Sequence, residues 1–67
     1  QPFDNRLIMD GPLQGEYRIL DLSGRVLLQG DKKDKVQELN TSNLNKGMYF
    51  IELKGEKSSI VKKLMKY

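Results

Sequence analysis

The sequence contains no cysteine, no histidine and no tryptophan. Without cysteine the chain can form neither a disulfide nor a thiolate metal site, and without histidine it lacks the commonest proton shuttle and the imidazole metal ligand. These absences exclude zinc fingers, iron–sulfur clusters, thiol redox motifs and the catalytic triads that need histidine. The composition therefore favours a binding, targeting or structural module over an enzyme, and we expect neither a cofactor nor a metal ion.

Long apolar runs are absent as well. The longest run covers residues 48–51, which is far shorter than the ~18 residues needed to span a bilayer, and no segment resembles a signal peptide. The chain opens on Gln1 rather than methionine, so we expect residues 1–67 to be a single domain excised from a longer secreted protein. A domain of this size buries only ~60% of the surface that its unfolded chain exposes, which predicts marginal stability.

Charge is distributed unevenly along the chain. Residues 1–53 carry seven basic and eight acidic side chains, whereas residues 54–67 carry five lysines and one glutamate, so the net charge of +3 is concentrated in a basic C-terminal tail. One interpretation is an edge strand whose lysines discourage aggregation. The other is a basic handle for an acidic partner or a membrane surface. Few arginines, not interleaved with aromatic residues, argue against nucleic acid as a partner.

No constellation of residues predicts catalysis. The acidic side chains lie apart at turns and strand ends, so no two are spaced as a general acid and base. Ser42, Ser58 and Ser59 have no histidine to activate them. Asp31 and Asp34 flank two lysines, which argues against a calcium loop. We therefore predict no catalytic, cofactor-binding or metal-ligating residues.

Apolar and polar residues alternate nearly throughout, which is the period of a β-strand. The pattern predicts strands at residues 5–10, 16–21, 25–29, 35–39, 48–54 and 58–66. We expect residues 16–29 to form a β-hairpin, residues 30–34 a charged loop, and residues 40–47 a loop with one helical turn that tucks Leu44 inward. Short strands separated by frequent turns predict an all-β fold, either a small antiparallel sandwich or a barrel.

Three segments resemble a known family. Residues 17–27, Tyr-Arg-Ile-Leu-Asp-Leu-Ser-Gly-Arg-Val-Leu, are similar to the apolar-x-apolar-x-Asp-x-x-Gly-Arg-x-apolar hairpin of type IX (Por) secretion system C-terminal sorting domains, type A. Residues 39–51 resemble that family's Leu-x-x-Gly-x-Tyr-apolar-apolar stretch. Residues 62–66, Lys-Lys-Leu-Met-Lys, are similar to its terminal Lys-Lys-Leu-Val-Lys signature.

The resemblance covers residues 2–67, and the three motifs occur in the family's order. Met65 replaces the usual valine, which keeps the apolar pattern. Residues 1–4 match the family's Tyr-Pro-Asn-Pro opening only at Pro2, so an N-terminal strand or a cleavage region is expected outside this chain.

The resemblance implies an Ig-like or fibronectin-like antiparallel β-sandwich of six to seven short strands. It also implies a C-terminal targeting signal that directs an upstream cargo domain from the periplasm across the outer membrane of a Gram-negative bacterium. The implied partners are the type IX translocon, an outer-membrane shuttle protein and a sortase-like surface protease that removes the domain and can join the cargo to anionic lipopolysaccharide. The cargo would be secreted or held at the cell surface.

Six residues of the family motifs are expected to be mainly structural. They are Asp21, Gly24, Arg25, Leu44, Gly47 and Tyr49. Asp21 can accept hydrogen bonds from backbone amides in the turn, and Gly24 can take a positive φ. Arg25 can pair with either Asp21 or Glu16 across the hairpin. Gly47 is expected to supply a left-handed or closely packed backbone position, and Tyr49 to lie in the core with its hydroxyl bonded at the rim.

Recognition is expected at the C-terminal strand. Its apolar residues Ile60, Val61, Leu64 and Met65 are expected to anchor it, and its lysines Lys62, Lys63 and Lys66 have no evident packing role. A terminal strand with an open edge can lend backbone hydrogen bonds to a receptor, and lysines add long-range attraction. We therefore predict that the secretion machinery recognises the sorting signal at Lys62, Lys63, Leu64, Met65 and Lys66.

Two other functions remain open from the sequence. A fibronectin-like adhesive or carbohydrate-binding module would need exposed aromatic residues on a flat face or in a cleft, and only five aromatic residues are present. A purely structural spacer would stabilise its neighbours without affecting export. A dimer formed through open sheet edges is also consistent with a small sandwich.

Overall fold

The computed structural model describes residues 2–12 and 14–67, and the regular structure in that part of the chain is all β-strand. The strands are β1 (Pro2–Phe3), β2 (Arg6–Asp10), β3 (Gly15–Leu20), β4 (Val26–Lys32), β5 (Val36–Asn40), β6 (Gly47–Lys54) and β7 (Ser59–Lys66). The prediction of an all-β fold of six to seven short strands is confirmed. Among the described residues no helix is long and apolar enough to cross a membrane. The predicted opening motif at residues 1–4 lies partly outside the described residues, because Gln1 is not among them.

The strands form two sheets of unequal size. The larger sheet has five strands in the order β1-β7-β6-β3-β4, and the smaller one pairs β2 with β5. Neighbouring strands are antiparallel except β1 and β7, which run parallel. Since a two-stranded sheet cannot cover a five-stranded one, part of the larger sheet's inner face is left without a partner.

The hairpin predicted over residues 16–29 is confirmed by the pairing of β3 with β4. The prediction of a charged loop over residues 30–34 is wrong for residues 30–32, because β4 continues to Lys32. Within this stretch, Gly30 pairs with Tyr17 of β3. The Tyr17 ring lies over Gly30, where an added Cβ would come within 2.6 Å of its hydroxyl oxygen. A glycine at this position therefore lets the strand continue beneath the ring.

The loop between β5 and β6 contains one hydrogen-bonded turn in place of the expected helical turn. The amide of Leu44 donates to the carbonyl oxygen of Thr41 at 3.0 Å. Leu44 is half-buried and packs against the core, so its inward placement is as expected.

The core joins the two sheets through one buried residue from each of five strands. These residues are Phe3, Leu7, Ile19, Tyr49 and Leu64. The rings of Phe3 and Tyr49 pack at an interplanar angle of 60°, with their centroids 6.2 Å apart. Phe3 thus ties the short strand β1 to the core, and it does so beside the end of β7.

Candidate functional site: the C-terminal strand

Strand β7 is fully paired on one side and almost unpaired on the other. It pairs with β6 along its whole length, from Lys54 opposite Ser59 to Gly47 opposite Lys66. On the other side, β1 pairs with Met65 and Lys66, and no described strand lies beside residues 59–62. An unpaired strand edge presents amide and carbonyl groups that another strand can bind.

Lys66 lies inside the domain, with 6% of its surface exposed. Its ammonium group donates to the carbonyl oxygens of Thr41 at 2.6 Å and Leu44 at 2.5 Å. The expectation that Lys66 has no packing role is therefore wrong. Its aliphatic stem can lie against apolar groups while main-chain oxygens satisfy the charge of the ammonium group. The two hydrogen bonds tie the end of β7 to the loop before β6.

The predicted recognition residues divide into buried and exposed groups. Leu64 and Lys66 are buried, whereas Lys62, Lys63 and Met65 are exposed. Leu64 alone among the four apolar residues of the strand is buried, so the expectation that Ile60, Val61 and Met65 also anchor it is wrong. Alternation along β7 explains four of the five positions, because Leu64 and Lys66 share the inner face while Lys63 and Met65 share the outer face. Lys62 also lies on the inner face but remains exposed.

The turn between β3 and β4 is held by the Asp21 carboxylate. Its Oδ1 accepts hydrogen bonds from the Ser23 hydroxyl at 2.6 Å and from the amides of Ser23 and Arg25 at 3.0 and 2.9 Å. The Arg25 guanidinium pairs with Oδ2 at 3.2 Å, and Gly24 has a φ of 91°. Hydrogen bonds lower the pKa of Asp21: the one from the Ser23 hydroxyl has the largest effect, and the one from the Arg25 amide has the next largest. These contacts are local to the turn and give it a structural role.

The motif residues before β6 also face the interior. Tyr49 is buried and its hydroxyl donates to the carbonyl oxygen of Asn45 at 2.5 Å. Gly47 begins β6 with a φ of 144°, a conformation that residues with a side chain rarely adopt. Tyr49 lies opposite Leu64 of β7, so this motif shapes the inner surface on which β7 packs.

Sequence reasoning missed a second buried lysine, Lys32, which is 2% exposed. Its ammonium group donates to the carbonyl oxygens of Gly11 at 2.7 Å, Asp34 at 2.6 Å and Lys35 at 3.0 Å. A signal was present, because Lys32 follows Leu28 and Gly30 at intervals of two residues and so lies on the inner face of β4. The charged residues on both sides of Lys32 make this segment resemble a loop, so the alternation was not recognised.

A cleft of about 300 Å³ lies between β2 and the strands β6 and β7. Its lining is mainly apolar: Leu7, Ile8, Met9, Asp10, Gly11, Pro12, Lys32, Ile51, Leu53, Ile60, Lys62 and Leu64. The cleft adjoins the part of β7 whose edge is unpaired, since Ile60 and Lys62 belong to both features. No sequence pattern indicates this cleft, because it forms where strands distant in the chain come together. Within residues 2–12 and 14–67, no three acidic side chains gather as metal ligands would.

Comparison with known proteins bears on these features. A family model described as a secretion system C-terminal sorting domain matches residues 2–67. No curated protein and no solved structure matches the chain. The family match spans the Asp21 turn, the segment that leads into β6, and β7 to its last residue. With nearly the whole sequence matched, the chain belongs to the family of type IX secretion C-terminal sorting domains.

Proposed function

We propose that this domain is the targeting signal of a secreted cargo and that the type IX machinery recognises it at β7. The family acts as a targeting signal attached to an upstream cargo, which the secretion system exports to the surface or exterior of a Gram-negative cell. The observation that carries the finer proposal is the edge of β7, which no described strand pairs over residues 59–62, together with the exposed side chains of Lys62 and Lys63.

Two kinds of interaction are available at this strand. The edge backbone groups of residues 59–62 can pair with a strand of a receptor, which supplies affinity with little regard to sequence. The lysines attract an acidic partner at long range, and they do so more weakly as the salt concentration rises. Together they provide both attachment and orientation.

The five signature residues act in two ways in this proposal. Lys62, Lys63 and Met65 are exposed and contact the machinery directly. Leu64 and Lys66 are buried and position the strand, Leu64 through the core and Lys66 through the loop at residues 41–46. The terminal lysine therefore acts on recognition through the fold.

The wider pathway follows the family's role. We propose that residues 1–67 travel as one detachable domain, that the cargo passes from the periplasm through the outer-membrane translocon, and that a shuttle protein delivers it to a sortase-like protease for removal of the domain. A core that draws on strands from both sheets and from both ends of the described chain supports the proposal of a self-contained unit.

Export of a reporter tests the role of the exposed lysines. A fluorescent protein with a periplasmic signal peptide, followed by the native upstream segment and these residues, is expressed in a host with the type IX machinery. The double variant Lys62→Glu/Lys63→Glu is expected to lower surface delivery at least about tenfold, as loss of a few kcal/mol of binding would do. Lys33→Glu/Lys35→Glu makes the same change in net charge on exposed residues outside β7 and is expected to export normally.

A further control removes residues 62–67, which deletes most of β7. Periplasmic retention of the intact, folded reporter with the unmodified domain would contradict the sorting role itself. Equal export of the two double variants would instead contradict recognition at β7.

A further inference from the structure

We propose that the edge of β2 that faces away from β5 is a docking site. An extended segment of a partner protein adds a strand to the two-stranded sheet there and places apolar side chains in the cleft. The segment also carries one basic and one acidic residue, one on each side of its apolar residues. This edge belongs to a different strand from the one that the proposed function uses, and binding to it is measured without the secretion machinery.

The hydrogen bonds at the two ends of the small sheet show which groups of β2 point toward β5. At one end, the amide of Thr41 donates to the carbonyl oxygen of Asn5 at 2.9 Å. At the other end, the amide of Gly11 donates to the carbonyl oxygen of Lys35 at 2.9 Å. Hydrogen-bonded pairs alternate along an antiparallel ladder, so residues 5, 7, 9 and 11 bond to β5 and the main-chain groups of residues 6, 8 and 10 point away from it.

The outward groups of β2 are available to an added strand from Ile8 onward. The amide of Arg6 is already bound, since it donates to the Asp4 side chain at 3.0 Å. Among the described strands, β5 is the one that pairs with β2, and none lies on its other side. The amide and carbonyl groups of Ile8 and Asp10 can therefore bond to an incoming strand.

This edge of β2 faces the cleft. Residues 7–10 all line it, although alternate side chains of a strand point to opposite faces, so the cleft lies against the edge of the strand. A strand added ~4.8 Å from β2 would point its side chains opposite Leu7 and Met9 inward, as those two residues point. There they would meet Leu53 and Ile60 on the far wall.

The cleft has the size and surface to receive apolar side chains. Its volume of about 300 Å³ is at the lower end of the range for ligand pockets. Ile8 and Ile60, on opposite walls, are 45% and 42% exposed. A segment that lies between them would remove apolar surface of both from water, which favours binding.

The charged residues of the lining determine the charges of the segment. They are Asp10, Lys32 and Lys62. The ammonium group of Lys32 is held by three carbonyl oxygens and needs no further partner. Asp10 and Lys62 are exposed on opposite walls, and within residues 2–12 and 14–67 neither has an ion-pair partner. A segment with one basic and one acidic residue complements both, whereas a segment of one sign would meet a like charge at one wall.

A lone strand fits this edge better than a second copy of the chain does. The larger sheet extends beneath the edge, because residues of β7 line the far wall of the cleft. Antiparallel pairing of two β2 edges about a two-fold axis would put both larger sheets on the same side of the joined small sheets. The two β7 strands would then compete for the space beneath the joined edges.

Peptides test the chemistry of the segment. The probe is a dye-labelled peptide in which Lys-Val-Ile-Glu is flanked by threonines and both ends are blocked, and its fluorescence anisotropy is followed as the purified reporter fusion that carries the domain is added. Lys-Gly-Gly-Glu lacks the apolar side chains and is expected to bind at least about tenfold more weakly. Glu-Val-Ile-Glu and Lys-Val-Ile-Lys are each expected to bind about threefold more weakly, because one wall then meets a like charge.

Matched proline substitutions test the strand edge. Ile8→Pro removes an amide that points to the added strand and keeps the hydrogen bonds to β5, so binding of the Lys-Val-Ile-Glu peptide is expected to weaken about tenfold or more. Val36 lies opposite Asp10 and is 56% exposed, so its amide also points out of the small sheet, but at the edge of β5. Val36→Pro is therefore expected to leave binding within about twofold. Thermal unfolding shows whether both variants are folded.

A charge reversal tests the site without a proline. Asp10→Lys is expected to weaken binding of the Lys-Val-Ile-Glu peptide about threefold and to make Glu-Val-Ile-Glu the tighter ligand. Asp31→Lys makes the same change on an exposed residue of β4 outside the cleft and is expected to leave the order of the peptides unchanged. A purely structural effect of the substitution would weaken all peptides alike.

Three outcomes would overturn the proposal. They are equal binding of the four peptides, equal effects of the substitutions at residues 8 and 36 in folded variants, and a preference among peptides that Asp10→Lys does not change. A concentration-dependent dimer that Ile8→Pro abolishes would also overturn it, since a second copy would then occupy the edge. None of these results bears on the sorting role, which the export assay measures separately.

Discussion

Two lysines are held inside the domain by main-chain oxygen atoms. A buried ammonium group is costly unless it is hydrogen-bonded. Lys32 meets this requirement with three carbonyl oxygens and Lys66 with two. Each lysine also joins segments far apart in the chain: Lys32 links the end of β4 to Gly11, and Lys66 links the end of β7 to Thr41. These two side chains therefore serve as cross-links between loops and strands.

Removal of the Lys66 ammonium group is expected to destabilise the domain. Lys66→Met keeps an unbranched stem but leaves the carbonyl oxygens of Thr41 and Leu44 without this donor, which should lower the free energy of unfolding by about 1–3 kcal/mol. Lys57→Met, at an exposed position in the β6–β7 turn, should change it by less than about 0.5 kcal/mol. Urea unfolding measures both values. Similar values for the two variants would show that the Lys66 contacts contribute nothing.

The contrast between Asp21 and Lys66 shows which residue roles can be read from sequence. The hydrogen bonds of the Asp21 carboxylate join it to Ser23 and Arg25 in the same turn, so turn chemistry alone predicts them. The partners of Lys66 lie 25 and 22 residues away, and its neighbours in sequence are an exposed methionine and tyrosine. No local pattern can indicate such a contact, so a basic terminal run looked like solvent-exposed charge.

At the scale of the elements, β3 has a neighbouring strand on each side. It lies between β4 and β6 and pairs with both. At its start, the backbone of Lys54 approaches Gly15 so closely that a Cβ there would lie 2.1 Å from the carbonyl oxygen. Gly15 thus permits the close approach of β6 to β3.

Alanine substitutions at two glycines should separate crowding from backbone conformation. Gly11 and Gly15 have the same φ of 159°, but a Cβ at Gly11 would meet no atom within 4 Å. Gly15→Ala should therefore destabilise the domain by about 1–3 kcal/mol more than Gly11→Ala, because main-chain atoms must move. Thermal or urea unfolding of both variants measures the difference. Equal stabilities would mean that β6 shifts at no cost.

Strand length decided which elements the sequence could predict. Alternation over five to eight residues located β2 to β7, although the end of β4 was missed because Asp31 and Lys32 resemble loop residues. The two residues of β1 are too few for any periodicity to show. Its parallel pairing with β7 depends on the packing of Phe3 against Tyr49, which is a contact between distant parts of the chain.

At the scale of the whole molecule, the two sheets differ in size, and the inner face of the larger sheet is uncovered at one corner of the domain, beside β2, β6 and β7. The two-stranded sheet packs over the five-stranded sheet without covering all of its inner face, and the cleft between β2, β6 and β7 is the result. The unpaired edge of β7 lies at the same corner. The domain therefore combines a closed core around Ile19 with one open side.

Hydrogen exchange should reveal this open side. Amides of the central strands β3 and β6, which have a strand on both sides, are expected to exchange slowest. Amides of residues 59–62 that point away from β6 are expected to exchange fastest within β7, because no described strand bonds them. NMR-detected exchange of the free domain measures each amide. Uniform protection along β7 would show that its edge is covered in solution.

Fold class and family could be predicted from the sequence, while the corner that offers the candidate site could not. Alternation and turn residues indicate the strands, and three spaced motifs indicate the family. Both are patterns of residues that are close together in the sequence, so they can be recognised without the structure. Which strand lies at an edge, and where two sheets fail to meet, depends on the order of strands in space. Ile60 and Lys62 therefore gave no sign that they line a cleft with residues of β2.

The parallel pairing of β1 with β7 has a mechanical consequence. Pro2 lies opposite Met65, and the amide of Tyr67 donates to the carbonyl oxygen of Phe3 at 3.0 Å, so the two described ends of the chain are side by side. A pull between an upstream cargo and an anchored tail would draw these parallel strands in opposite directions along their length. Such a load is a shear, which the hydrogen bonds between β1 and β7 bear together instead of opening one after another. The tension of transport would thus fall first on Phe3 and its neighbours on β7.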